Sequence, residues 1–165
     1  MAIKEGFDNV RLEPVTNFTK WERGHESLTM YEPRPVPTKL GLIGMGGSVS
    51  GNVKAEVVVV KDYDELDKLG DKVKSKIVCY NNKWTTYGQT VKYRSTGAIA
   101  AAKYGAVGVL IRSVAPDSVY SAHTGITHYD DSVTKIPIAA ITLEDADMFQ
   151  RMQDRKQKIV VHLNL

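Results

Sequence analysis

Residues 97–112 read GAIAAAKYGAVGVLIR. An alanine-rich run stops at Gly105 and passes at once into an apolar stretch. The spacing predicts a helix over 89–104, with Val91, Ser95, Ala98, Ile99 and Ala102 in one stripe. Gly105 supplies the C-terminal stop, because glycine accepts the left-handed backbone that ends many helices. AVGVLIRSV (106–114) then reads as a central, fully buried strand. Side chains this small let a helix backbone approach a sheet closely. A helix, a glycine and a strand joined with almost no loop invite a nucleotide-binding reading, which the glycines elsewhere must support or exclude.

They do not support it. GMGGSVSG (44–51) is the glycine-rich loop, but it leads into AEVVVV (55–60), a strand, and not into a helix. A phosphate cradle needs a helix N-terminus aimed at the anion, and a Walker-type loop needs its Lys and Ser/Thr. This loop has neither feature and reads as a plain mobile connection.

Working outward, the pattern is regular from residue 54 onward. Asp62 is placed to cap a helix, with Glu65 three residues later as a capping-box variant, and Leu66, Leu69 and Val73 share its face. SKIVCY (75–80) is the next strand. IPIAAI (136–141) follows, with Pro137 suggesting a start at a sheet edge. Thr142 caps a last helix that buries Leu143, Ala146, Phe149 and Met152, and KIVVHLNL (158–165) closes as an alternating strand. The first 50 residues are less regular. NVRLEPV (9–15) reads as a short edge strand and WERGHESLTMYEP (21–33) as an extended piece. EPRPVP (32–37) is barred from helices and central strands by its prolines, and KLGLIG (39–44) is a strand again. The division expected is therefore an N-terminal extended segment, 1–53, and a core domain, 54–165.

The chain has 165 residues, 42% hydrophobic and 25% charged, with a net charge of +3. That suits one domain, or one domain plus an extra segment. The basic residues are scattered, so a nucleic-acid partner is not expected. No apolar run approaches a membrane span of about 18 residues. The opening MAIKEGFDNV lacks the apolar core of a signal peptide and reads as an internal segment. Cys79 is the single cysteine and lies in a strand pattern, where a buried, inert thiol is expected. Asn17, in the triplet NFT (17–19), is an N-glycosylation candidate.

Three constellations could carry chemistry. HYDD (128–131) offers His128 and carboxylates, and His123 lies five residues earlier, but zinc needs three or four ligands and an irregular loop fixes no geometry. No G-x-S-x-G elbow supports a serine hydrolase, although Ser113 and Ser121 lie near His123. The polar stretch 115–136 has no periodicity, and a loop that long in a compact domain is usually functional. Tyr120, His123, Thr124 and Tyr129 are its interaction candidates, with the tyrosines and His123 expected on the surface.

Two motifs carry a resemblance. AAKYGAVGVLI (101–111) and IPIAAIT (136–142) are similar to the signature of the protease-associated (PA) domain family over roughly 54–165. NVRLEPV, WERGHES, EPRP, TVKYRSTGA, LIRSVA, YSAHTGI and KIPIAAIT together resemble the carboxypeptidase Q-like zinc peptidases (plasma glutamate carboxypeptidases), through nearly the whole chain. The resemblance implies an α+β fold of the swivelling β/β/α type, a β-sandwich or open barrel flanked by two or three helices. It also implies a non-catalytic module inserted in a zinc exopeptidase that cleaves dipeptides, there to cover or shape the active site or to bind a protein. Nothing here matches that family's zinc-ligand set, so no catalytic or metal residue is carried over. Zinc is expected only in the peptidase domain. That domain, or a protein or peptide, is the expected partner, with homodimerisation through a strand edge as a further option. The implied location is secreted or lysosomal. The competing expectations are a stand-alone secreted module binding a protein or glycan and, more remotely, a small hydrolase using His123 or His128.

Overall fold

The structure is a computed structural model that describes residues 1–17, 20–117 and 119–165. Eight strands and three α-helices follow one another among these residues: β1 (Ser27–Glu32), β2 (Thr38–Leu40), β3 (Leu42–Gly44), β4 (Asn52–Val60), α1 (Tyr63–Leu69), β5 (Ile77–Tyr80), α2 (Tyr87–Ala102), β6 (Gly108–Arg112), β7 (Ile138–Ile141), α3 (Leu143–Asp154) and β8 (Val160–Asn164). The strands form a single mixed sheet in the order β2-β1-β8-β4-β5-β6-β7-β3. β4 to β7 run parallel, and the outer pairings are antiparallel.

The two ends of that order are β2 and β3, and only Gly41 separates them in sequence. A sheet whose outermost strands are one residue apart has to curl until its edges meet. The packing agrees. Leu40, Leu28, Val161, Val57, Ile77, Leu110, Ile141 and Leu42 all belong to one apolar cluster, so every strand contributes to the concave face, as alternation in a barrel requires. α3 packs Ala146, Phe149 and Met152 into the same cluster. The other face is covered only along the parallel strands, where α1 and α2 lie over Val60, Val78, Tyr80, Val109 and Ile138. The architecture is thus α+β, a nearly closed, barrel-like sheet flanked by three helices.

The helix caps are those the sequence signals. Asp62 accepts the Glu65 N–H at 2.9 Å, and Glu65 accepts the Lys61 N–H at 2.6 Å, one residue earlier than in the usual box. Thr142 accepts the Asp145 N–H at 3.0 Å, and Leu143, Ala146, Phe149 and Met152 are all buried. Gly105 adopts φ 74°, and the Ala106 N–H returns to the Ala101 carbonyl, so the stop after α2 is a left-handed glycine turn. Cys79 is fully buried, and the loss of solvation pushes its thiol pKa up to about 12, which keeps it an inert thiol.

Four expectations are corrected. The buried stripe of α2 is Thr90, Tyr93, Gly97, Ala98 and Ala101, so only Ala98 survives from the expected set. The aromatic packing explains the rotation. Tyr93 packs at a tilt against Tyr80 and Tyr63 with ring centres 5.3 and 4.8 Å away, and the Tyr80 ring lies where a side chain on Gly97 would be. A Cβ there would stand 3.0 Å from Tyr80 Cε2, and the Tyr80 hydroxyl donates to the Gly97 carbonyl at 3.0 Å. Second, NVRLEPV forms no strand. Residues 9–15 are exposed and have no ladder neighbour among the described residues. Third, β7 lies between β6 and β3, not at an edge, and Pro137 precedes its first residue, so no ladder bond is lost. Fourth, KLGLIG is two strands on opposite ends of the sheet, broken at Gly41. The sheet also spans the expected division at 53/54, since β1, β2 and β3 come from residues before it.

Candidate functional site

The described residues of the long polar loop form no helix or strand of their own, but they are held at several points. The Gly46 N–H donates to the Gly125 carbonyl at 2.7 Å, and the Thr127 N–H returns to the Gly46 carbonyl at 2.9 Å. The His128 N–H reaches the Ser95 carbonyl on α2 at 2.8 Å. The glycine-rich turn after β3 and the 115–136 loop, separate in the sequence, thus form one surface. Gly46 and Gly47 permit it, because a Cβ on either would stand 3.1–3.2 Å from a carbonyl of the other loop.

The four candidates sit differently on that surface. His123 is exposed; its N–H donates to Ser113 Oγ at 2.9 Å, and its Nε2 lies 3.5 Å from Ser121 Oγ. Thr124 is a tether: its hydroxyl donates to the Gly44 carbonyl at 2.9 Å and accepts from Arg23 at 3.1 Å, and its carbonyl accepts from Arg94 at 3.1 Å. Tyr120 is exposed along one side, while its hydroxyl accepts the Gly41 N–H at 3.3 Å, which ties the loop to the seam of the barrel. Tyr129 is half-buried, against the expectation of a surface side chain. Its hydroxyl accepts the Val49 N–H at 3.2 Å and donates to the Ile136 carbonyl at 2.6 Å. Of the four, only His123 has a side chain free of a structural role. Asn17 is exposed, but Phe18 and Thr19, which complete its triplet, lie outside the described residues.

The seam also holds Asp145, which is buried and whose Oδ2 has no hydrogen-bond partner among the described residues. Burial raises its pKa, opposed by the nearby Tyr120 and Thr142 hydroxyls and the Gly41 backbone. A carboxylate with a raised folded-state pKa weakens the fold as pH rises from its unfolded value, about 3.9, through its folded one. Asp145→Asn is therefore expected to melt higher than wild type at pH 7, with the two curves merging below about pH 4. A gap that stays constant from pH 4 to 7 in thermal melts would assign the effect to packing instead.

Sequence reasoning missed two features. Arg23 joins the Gly44 carbonyl (2.9 Å) and Glu26 (3.4 Å) to Thr124, 101 residues away. Arg112, at the end of β6, is nine-tenths buried, pairs with Asp147 at 2.8 Å and donates to Asn81 at 3.1 Å and to the Leu143 carbonyl at 3.2 Å. Arg112 ends a run readable as a strand, and a charge at such a position is the signal that could have flagged it. HYDD gathers no third donor: among the described residues no three His, Cys, Asp or Glu side chains come together as metal ligands.

Comparison with known proteins first gives a class. The fold matches a Peptidase M28 precursor from Shewanella amazonensis with a TM-score of 0.87 and 35% identity, over 98% of this chain and 38% of that one. The zinc aminopeptidase BSAP from Bacillus subtilis shares the fold at a TM-score of 0.54 and 17% identity. No family model matches the chain. Among curated proteins, carboxypeptidase Q of Mus musculus is 48% identical over 165 residues, covering 98% of this chain and 34% of that protein. The chain is homologous to a segment of carboxypeptidase Q, and it spans about a third of the length of the curated relatives it matches.

Proposed function

We propose that this chain is the protease-associated module of a carboxypeptidase Q-like zinc exopeptidase that cleaves dipeptides, and that the module itself performs no chemistry. The observation that carries this reading is the match of one barrel-like unit, along nearly all its length, to a third of carboxypeptidase Q. Its partner is the peptidase domain of the same protein. The exposed apolar side chains before β1, among them Leu12 at 101% of full exposure and Phe7 at 68%, support a surface that meets other protein there. On this reading residues 1–17 reach toward the peptidase part, and the 115–136 loop, led by His123, faces the active-site entrance. A secreted or lysosomal protein is the corresponding location, with Asn17 open to glycosylation.

The test uses the purified chain, loaded with zinc and then dialysed. It is expected to retain no stoichiometric zinc by elemental analysis and to hydrolyse no member of a dipeptide panel. Stoichiometric zinc together with turnover that a chelator abolishes would make the chain an enzyme in its own right.

A further inference from the structure

Between the carboxyl ends of β4 and β5 and the outer side of α3 the structure opens a crevice of about 750 Å³. Its place follows from topology. α1 and α2 leave the sheet on one face, and α3 returns over the other, so the segments after β4 and β5 part from α3 and leave a gap. In sheets with parallel strands, gaps of this kind outside the carboxyl ends are where ligands bind. The volume lies within the range of small-molecule sites.

Every residue that lines it is polar or charged. Three carboxylates reach it, and each already has a donor. Asp62 accepts the helix-cap bond from Glu65, Asp147 is held by Arg112, and Asp154 accepts from Gln150 at 3.0 Å. Of the three cations, Lys61 stands 3.9 Å from Glu65. Lys83 and Arg151 are exposed and have no ion-pair partner among the described residues. Asn82, beside Lys83, also lines a narrow cleft that continues to Arg112, whose buried Nε has no acceptor among the described residues. The unmet demand in the crevice is therefore for an acceptor that carries negative charge.

We propose that this crevice binds a small carboxylate, held by Lys83 and Arg151 beside the buried Arg112–Asp147 pair. Two sources share that chemistry: a free dicarboxylate and the C-terminal carboxylate of a short peptide. The inference is independent of the peptidase reading. Charge-assisted hydrogen bonds to a carboxylate are roughly twice as strong as neutral ones, and an arginine can grip it with two parallel bonds.

The experiment is calorimetric titration of the full chain with succinate, with triglycine and with triglycine amide. Saturable one-to-one binding is expected from succinate or triglycine, and the tighter of the two identifies the source. The paired change Lys83→Ala, Arg151→Ala should weaken it at least about tenfold, a loss of about 1.4 kcal/mol. Lys68→Ala, a cation on α1 that does not line the crevice, should leave it unchanged. Both altered positions are exposed, and unchanged melting curves verify that the fold is intact. Equal binding of triglycine amide, equal loss in Lys68→Ala, or no saturable binding by either carboxylate would overturn the proposal.

Discussion

Phe149→Ala is expected to destabilise the chain by about 3–5 kcal/mol, the usual cost of emptying a core aromatic position. Phe149 is 0% exposed and sits in the cluster to which all eight strands contribute. It is the largest side chain that α3 places there, so removing it leaves a cavity walled by strands already fixed to one another by the sheet. Such walls collapse poorly, which puts the cost in the upper part of the range for core truncations. In a domain of this size the midpoint should fall by roughly 6–20 °C. A shift of a degree or two in calorimetry would mean that α3 does not plug the barrel, and that the concave face has another cover.

The second large effect concerns the phase of α2. Ala101→Leu should cost about 1–3 kcal/mol, because added methylenes in a filled core force neighbours off their rotamers. Ala101 is 0% exposed against the convex face, in the cluster of Tyr80, Tyr93 and Val109. Ala102→Leu, one position along, should cost clearly less, since Ala102 is only half-buried. Chemical denaturation of the pair checks this directly. Equal losses, or a larger loss at 102, would restore the stripe read from the sequence.

What could be read from the sequence was mostly local. Asp62 and Thr142 mark their helices because a cap is decided within four residues, and Gly105 marks its turn because only its own backbone is at stake. The apolar runs at 55–60, 77–80 and 106–112 and the alternation of 160–164 are strands for equally local reasons. The phase of α2 was hidden because both candidate stripes mix small residues with a large side chain, Ile99 in one and Tyr93 in the other. The choice fell to Tyr80, a residue on another element whose ring needs Gly97. The closure of the sheet was hidden because β2 and β3 look like one strand until their partners are known. The candidate site shows the same division. The 115–136 loop stood out by length and polarity, but the roles of Thr124 and Tyr129 depend on Arg23, Gly44 and Val49, which no spacing connects to them. The crevice is drawn from the ends of two strands and one helix, and Lys83 alone gives no sign of it.

The structure of the loop also alters how its function should be probed. Tyr129→Ala would remove two hydrogen bonds that hold the loop, so its effects would mix stability with recognition. His123→Ala touches no such tether and is the cleaner change, expected to leave the melting midpoint within the spread of ordinary surface substitutions, about 0.5 kcal/mol. Within a complete peptidase it is expected to shift dipeptide preference if the loop faces the entrance.

The most direct measurement exchanges the matching third of mouse carboxypeptidase Q for this chain and follows dipeptide hydrolysis by the folded chimera. The account predicts that chelator-sensitive turnover survives the exchange, because the chain supplies the module and the remaining two-thirds supply the chemistry. A folded chimera that retains zinc and hydrolyses no dipeptide would contradict it.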